Sequence, residues 1–242
     1  MQPSRARRSV FVTGGTGYIG QRLIAALVLR GHHVRAMARP DSVHRLPSTC
    51  QSVVGDVLDV EQLRVAFRDG ETLVQLVGTS HPGPAKAALF RAVDLVSAKA
   101  SVDAAVSAGV SHLVYVSVAH PAPVMHAYVS VRVEAESHLR ASRVPHTVLR
   151  PWYVLGPGHQ WPHALRPLYA LAGLVPAWRD SARRLGLVTV SEMVWALVSS
   201  IESGPPSSSA PRVLEVPAIR ERARAMRATL EDVTEDVIAR QP

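Results

Sequence analysis

The chain has 242 residues, 47% of them hydrophobic, with a mean hydropathy of +0.10. That much apolar surface excludes a disordered chain, and a single cysteine, Cys50, excludes an intramolecular disulfide or a cysteine-based zinc cage. The formal net charge is +8, carried by 27 basic residues of which only Lys86 and Lys99 are lysines; the arginines are diffuse, and no basic stripe with interleaved aromatics supports a nucleic-acid reading.

In chain order, Val10-Phe11-Val12 predicts a first strand running into glycines. Apolar spacing from Ile19 to Leu29, stopped by Gly31, predicts a helix. Strands follow at Val34–Ala38 and Ser52–Val54, then a short helix at Val60–Phe67 and a fourth strand at Leu73–Val77. A long alanine-rich helix is expected over Ala87–Ala108, a fifth strand at His112–Val116, a helix at Met125–Ser142 and a sixth strand at Thr147–Leu149. The strands are nearly continuous apolar runs, which suits burial on both faces of a parallel sheet sandwiched between helices.

After Pro151 the texture changes, because Pro151, Pro157, Pro162, Pro167 and Pro176 force loops. A strand at Leu185–Val190, a helix at Glu192–Ile201, an edge strand at Val213–Val216 and a final helix at Ile219–Arg240 are expected beyond them. The division expected is a core over residues 1–150 and a small irregular cap with a C-terminal helix over 151–242, within one structural domain. No apolar run is long enough to cross a membrane, since Arg166, Pro167 and Pro176 interrupt Ala164–Trp178. Arg5, Arg7 and Arg8 lead straight into the first strand, so a cleaved signal peptide would destroy the fold. A soluble cytoplasmic protein is expected.

Thr13-Gly14-Gly15-Thr16-Gly17-Tyr18-Ile19-Gly20 lies between the first strand and the first helix. Such a turn needs glycines for a sharp bend, for close approach to a pyrophosphate and for tight helix packing. The helix N-terminus then offers N–H groups and a positive dipole end to the phosphates. A dinucleotide site ordinarily has an acid at the end of the second strand, to bond the ribose 2′-hydroxyl. Arg39 stands there instead, and a guanidinium grips a 2′-phosphate, so NADP(H) is favoured over NAD(H). Arg35 and Arg45 are weaker candidates for the same task. Asp56 and the Val57 backbone sit where an adenine amino group is read, or Asp56 caps the next helix.

Together these motifs resemble the short-chain dehydrogenase/reductase superfamily, in its extended and atypical branches that include NmrA-like NAD(P)H-binding and epimerase/dehydratase-like proteins. The resemblance covers roughly residues 9–160. Besides the glycine turn and Gly55-Asp56-Val57, it rests on Leu76-Val77-Gly78 and Val93-Asp94 through Val110. It also rests on Val114-Tyr115-Val116-Ser117, Leu149-Arg150-Pro151 and Gly156-Pro157-Gly158. It implies a Rossmann-type doubly wound parallel sheet. It places Gly14, Thr16, Gly17, Tyr18, Ile19, Arg39, Asp56 and Val57 against the cofactor, with Val77, Gly78, Pro151 and Val154 toward its nicotinamide end.

The resemblance further implies serine, tyrosine and lysine chemistry, with tyrosine and lysine four apart on one helix face. Ser117 and Tyr128 match, but the lysine position is Arg132. Arginine keeps the charge yet is bulkier, planar and never neutral. It either supports Tyr128 or turns outward to pair with Glu136. The implied activity is an NADP(H)-dependent oxidoreductase acting on a small carbonyl or alcohol, or an epimerase or dehydratase that recycles the nicotinamide, with Ser117, Tyr128 and Arg132 catalytic. The alternative is a non-catalytic NAD(P)H-binding sensor or assembly protein that has lost the tyrosine–lysine pair.

His159 and His163 lack a third nearby ligand, so no metal is expected. Trp152, Tyr153, Trp161 and Trp178 line either a substrate pocket or the cap's own core. The last helix carries Ile219, Ala223, Met226, Leu230, Val233 and Val237 as an apolar seam. It reads either as a homodimer contact or as docking on the chain's own body. The partners expected are a small-molecule substrate and such a second copy, with no nucleic acid and no membrane.

Overall fold

The computed structural model describes residues 7–156, 185–208 and 210–239, with side chains through residue 228. Seven strands form one parallel sheet: β1 (Ser9–Thr13), β2 (His33–Ala38), β3 (Gln51–Val54), β4 (Thr72–Gln75), β5 (His112–Val116), β6 (His146–Arg150) and β9 (Arg212–Glu215). Their spatial order is β3-β2-β1-β4-β5-β6-β9. Val10, Phe11, Val12, Leu73, Val74 and Val114 are fully buried, or nearly so, as expected of strands covered on both faces. β1 lies between β2 and β4, so chain connections leave it in opposite directions. Ligands bind at such a switch point, beyond the carboxyl ends of the strands.

Helices cover both faces. α1 (Tyr18–Leu29), α5 (Val190–Glu202) and α6 (Val216–Ala239) lie on one, where Leu23, Ile24, Leu27, Met193, Leu197, Ile201 and Ile219 share a core. α2 (Val60–Ala66), α3 (Ala87–Ala108) and α4 (His126–Ala141) lie on the other, around Phe11, Leu63, Phe90, Leu113, Tyr115 and Leu139. α3 departs from the single long helix predicted. It begins as one α-turn at Ala87–Leu89, widens into a π-helical stretch at Phe90–Leu95 and becomes regular over Val96–Ala108. The wider turn lets Phe90, Asp94 and Leu95 all point inward, and such turns mark functional positions in many proteins.

The layered core continues past residue 150. β9 adds a seventh strand beside β6, and α5 packs against α1, so these elements belong to the main body rather than to a cap. α5 opens with a capping box, in which the Thr189 hydroxyl and the Glu192 carboxylate satisfy each other's backbone N–H. β7 (Tyr153–Leu155), absent from the predicted elements, pairs in parallel with β8 (Leu187–Thr189) in a small second sheet. Ile219 and Ala223 on α6 are buried, and Met226 packs against the same cluster. Half of the predicted seam is therefore docked on the chain's own body. Leu230, Val233 and Val237 lie beyond the described side chains, as do His159, His163, Trp161 and Trp178.

Ion pairs tie the amino ends of the strands. Arg35 donates from Nη1 to both carboxylate oxygens of Glu71 at 3.1 Å, and its guanidinium lies 5.1 Å from the Phe11 ring. Buried there, Arg35 is not a phosphate ligand, contrary to the sequence-based expectation. Burial and strand direction override its charge, which the neighbouring acid neutralises. Arg30 pairs similarly with Glu202 at 2.6 and 2.8 Å, joining α1 to α5.

His112 sits on β5 with no exposed surface and holds the Thr147 hydroxyl at 2.9 Å. Burial, then the charges of Arg212, Arg8 and His146, push its imidazole down to about 3. The folded state thus prefers neutral His112, while the unfolded chain takes up a proton first as pH falls through about 6.5. Stability is full above that pH and falls toward pH 3, by about 1.4 kcal/mol per pH unit at most. Urea midpoints should drop between pH 7 and 5, and His112→Gln should flatten that slope.

Candidate functional site

The glycine turn closes β1 against α1 at the switch point. Gly14 adopts φ +74° and its carbonyl accepts the Gly17 N–H at 3.0 Å. A Cβ on Gly20 would run into the Gly14 carbonyl oxygen and sit 2.7 Å from the Gly15 Cα. Gly17 caps α1 with no side chain, and no acid stands in the first helical turn. The helix end therefore presents N–H groups that no side chain covers and no carboxylate shields. This cradle fits a pyrophosphate. Thr16, Tyr18 and Ile19 are half-buried around it. The Tyr18 hydroxyl lies against Gly156, and the Arg22 guanidinium stacks 4.3 Å from the Tyr18 ring centre.

Two arginines flank this cradle. Arg39 directly follows β2 with its side chain 67% exposed, and its nearest acid, Asp41, is 3.7 Å away. Arg45 reaches the Thr16 carbonyl from Nη2 at 3.4 Å. Asp56 follows β3 beside the carboxyl end of β2, since Gly55 N–H bonds the Ala38 carbonyl at 3.0 Å. The Asp56 carboxylate accepts the Leu58 N–H at 3.0 Å, and the cap of α2 is Asp59 instead. Val57 is partly buried in the core beneath. Asp56 therefore stands beyond the carboxyl end of β3 and is not the cap of α2.

At the other end, Val77 and Gly78 follow β4, and Pro151 and Val154 follow β6. The Pro151 carbonyl accepts the Ala119 N–H at 2.9 Å, which pins the loop after β5 to the segment after β6. Trp152 and Tyr153 stack edge to face there, with ring centres 5.4 Å apart.

Arg132 neither turns outward nor pairs with Glu136. It points inward with its side chain 5% exposed. Nη2 donates to Asp94 Oδ1 at 2.6 Å, and Nη1 to the Tyr115 hydroxyl and the Val116 carbonyl, each at 3.2 Å. Burial alone would lower its pKa, but the charges of Tyr115, Tyr128 and Asp94 outweigh burial and hold the guanidinium fully protonated. The other Asp94 oxygen accepts the Thr79 N–H at 2.9 Å and the Thr79 hydroxyl at 2.6 Å. A Cβ on Gly78 would lie 2.5 Å from Arg132 Nη2, so glycine there makes room for the larger cation. Arg132 and Asp94 together bind α4 to α3 and to the loop after β4.

Tyr128 and Arg132 do share one helix face, but through the ring rather than the hydroxyl. The guanidinium sits 5.1 Å from the Tyr128 ring centre, and Phe90 packs against the same ring at 5.0 Å. The Tyr128 hydroxyl forms no hydrogen bond among the described residues. Ser117 is 3% exposed, and its hydroxyl donates to Glu136 Oε1 at 2.6 Å. Glu136, itself buried, also accepts from Arg150 Nε at 3.0 Å and Nη2 at 2.5 Å, while His120 Nε2 lies 3.3 Å from Oε1. Burial alone would push the Glu136 carboxyl up. Arg150 and the Ser117 hydroxyl outweigh it and hold the group below the ordinary carboxylate range.

Sequence reasoning missed Asp94, Thr79, His120 and Glu136 as parts of this site. Asp94 carried one usable signal: an acid on the apolar face of an alanine-rich helix needs a buried cation. Among the described residues no cluster of side chains could hold a metal ion, and no helix is long and apolar enough to cross a membrane.

Comparison with known proteins agrees with this geometry. A family model described as NAD(P)H-binding matches residues 14–160. The ceramide reductase of Caulobacter vibrioides is 26% identical over 196 residues, covering 80% of this chain; the chain spans only 61% of that protein's length. A 3-diazoavenalumate denitrifying reductase from Streptomyces is 30% identical over 227 residues, covering 80% of this chain and 72% of the relative. The dTDP-glucose 4,6-dehydratase DesIV of Streptomyces venezuelae, solved with NAD bound, shares the fold. Its TM-score is 0.62 at 19% identity, over 92% of this chain and 81% of that one. The glycine cradle, the switch-point crevice and the family-model match place the chain in the NAD(P)H-binding family.

Proposed function

We propose that the chain is an NADP(H)-dependent oxidoreductase that reduces a small carbonyl compound or oxidises the corresponding alcohol. The observation that carries the NADP preference is Arg39, exposed at the end of β2 where an acid would exclude a 2′-phosphate, with Arg45 beside the same turn. When bound, the cofactor supplies or accepts the hydride at the substrate carbon. Gly14, Thr16, Gly17, Tyr18 and Ile19 hold its pyrophosphate. Asp56 and Val57 face its adenine, and Val77, Gly78, Pro151 and Val154 flank its nicotinamide. The Tyr128 hydroxyl gives its proton to the substrate oxygen as the carbonyl electrons move onto it. Arg132 acts at one remove, by fixing the ring of Tyr128 and the loop after β4. The reductases among the relatives favour the reductive direction.

A second reading, a non-catalytic NAD(P)H-binding protein, is favoured by one observation: among the described residues the cation beside Tyr128, Arg132, is committed to Asp94 and lies on the ring rather than at the hydroxyl. Titration of intrinsic fluorescence with NADPH and NADH separates these questions. Arg39→Ala should weaken NADPH about 10–100-fold, or ~1.4–2.8 kcal/mol, and leave NADH within twofold. Equal affinities in the unaltered chain would overturn the NADP assignment. Turnover of NADPH with a panel of aromatic aldehydes and ketones should fall about 10²-fold or more in Tyr128→Phe. No turnover of any compound would favour the binding-protein reading.

A further inference from the structure

The crevice walls beyond β4, β5 and β6 carry no free acid. Between Thr72 and Gly156 the chain has four acidic residues, Asp94, Asp103, Glu134 and Glu136. Asp94 and Glu136 are buried and bound to Arg132 and Arg150. Glu134 pairs with Lys99 at 2.7 Å, and Asp103 lies 2.7 Å from His138 Nε2. The segments that leave the three strands, residues 76–93, 117–133 and 151–156, contain no acid at all. One of them carries a cation. Lys86 is half-buried, its Nζ donates to the Ser80 carbonyl at 2.7 Å, and it has no acid partner among the described residues. An ammonium has three donors, so two remain beyond that bond.

Contacts at both ends fix where this ammonium stands. Ser80 adjoins Thr79, whose N–H and hydroxyl are held by Asp94. The Lys86 N–H bonds the Gly83 carbonyl at 2.9 Å, and Pro82 and Pro84 stiffen the turn between. Lys86 directly precedes α3, and Phe90, four residues on, packs against the Tyr128 ring. Four residues rise about 6 Å along a helix. Lys86 therefore stands one turn beyond the aromatic partner of Tyr128, at the end of α3 that meets the carboxyl ends of the strands. A cation at the beginning of a helix faces the positive end of its dipole, so helix formation does not account for this charge.

We propose that Lys86 is a substrate-binding residue, and that the substrate is an anionic carbonyl compound, or its alcohol, whose carboxylate or phosphate the ammonium holds. The assignment rests on the carbonyl-reductase reading above for the position of the substrate. A lysine ammonium is a compact point charge on a flexible stem, which suits a single oxygen of either anion. Partial burial strengthens such a pair over its value in open water. The acid-free segments around it leave nothing to repel the group. Of the chain's two lysines, Lys99 is engaged by Glu134, and Lys86 alone keeps its charge for a ligand.

Two measurements test the assignment. The first is reduction by NADPH of three aldehydes of similar shape: para-carboxybenzaldehyde, para-formylphenyl phosphate and the neutral para-methylbenzaldehyde. At least one anion should exceed the neutral compound in kcat/KM by about tenfold, and which one does so identifies the group held. Lys86→Met keeps the side-chain length and removes the charge. It should lower the ratio of kcat/KM for that anion over the neutral aldehyde about 10–100-fold, mostly through KM. Lys86→Arg should retain most of the ratio. A lysine that only closes the loop would lower all three aldehydes alike, and an unchanged ratio in Lys86→Met overturns the assignment. The second measurement needs no turnover: calorimetric titration of the NADP-loaded chain with benzoate and phenyl phosphate, with benzyl alcohol as the neutral control. Binding of one anion, lost in Lys86→Met, is expected. A chain that binds an anion through Lys86 yet reduces no aldehyde overturns the reductase reading and leaves the anion site standing. A chain that reduces the neutral aldehyde best and binds neither anion overturns this assignment alone. A chain that does neither overturns both.

Discussion

Gly20→Ala should abolish tight cofactor binding while leaving the remainder of the sheet folded. The added Cβ would meet the Gly14 carbonyl oxygen and the Gly15 Cα, both backbone atoms of the turn itself. No side chain can rotate away to relieve this contact, so the turn must open or α1 must shift along its axis. Either movement displaces the N–H groups of the helix end from the phosphates. NADPH affinity should drop about 100-fold, or ~2.8 kcal/mol. Overpacking of this kind costs about 1–3 kcal/mol of stability, so a melting curve should show a lower but cooperative transition. Calorimetric titration checks the first effect. Wild-type affinity in Gly20→Ala would mean that the pyrophosphate does not sit on this turn.

Arg132→Leu should be the most destabilising single change at the site. It leaves Asp94, which has no exposed surface, without its cation, and leaves the Tyr115 hydroxyl and the Val116 carbonyl without a donor. Removing one partner of a buried pair costs about 3–5 kcal/mol. For a chain of this size that is a fall of roughly 6–20 °C in Tm. Arg132→Lys tests the shape of the pocket rather than its charge. An ammonium can keep the bond to Asp94 but cannot also span Tyr115 and Val116 with a planar fork. It should lose about 1–3 kcal/mol and gain no rate, because Gly78 and Asp94 are fitted around the guanidinium. A rise in turnover on Arg132→Lys, with Tm unchanged, would show instead that the arginine merely impairs a lysine site. Asp94→Asn in the Arg132→Lys background, measured by urea unfolding, separates the pair from its surroundings through a double-mutant cycle.

The sequence by itself determined the parts of this protein that depend on local pattern. The strands through β6 were placed to within two residues at either end; in all but the exposed edge strand β3, burial on both faces replaces alternation with continuous apolar runs. The glycine turn was legible because its three requirements act within eight residues of chain. Tyr128 and Arg132 were legible as one helix face because four residues make about one turn.

Only the tertiary structure decided what those side chains touch. Arg132 finds Asp94 38 residues earlier, Ser117 finds Glu136 19 residues later, and Arg35 finds Glu71 36 residues on. Burying a charge demands a partner, but no spacing rule names that partner across separate elements. For the same reason β9 and α5, which looked like cap, complete the sheet and its core. Their apolar residues fit either role until the neighbours that cover them are known. The shortage of lysine in a basic chain thus acquires a local meaning. At position 132 the arginine is a clamp between helices, committed to Asp94, the Tyr115 hydroxyl and the Val116 carbonyl.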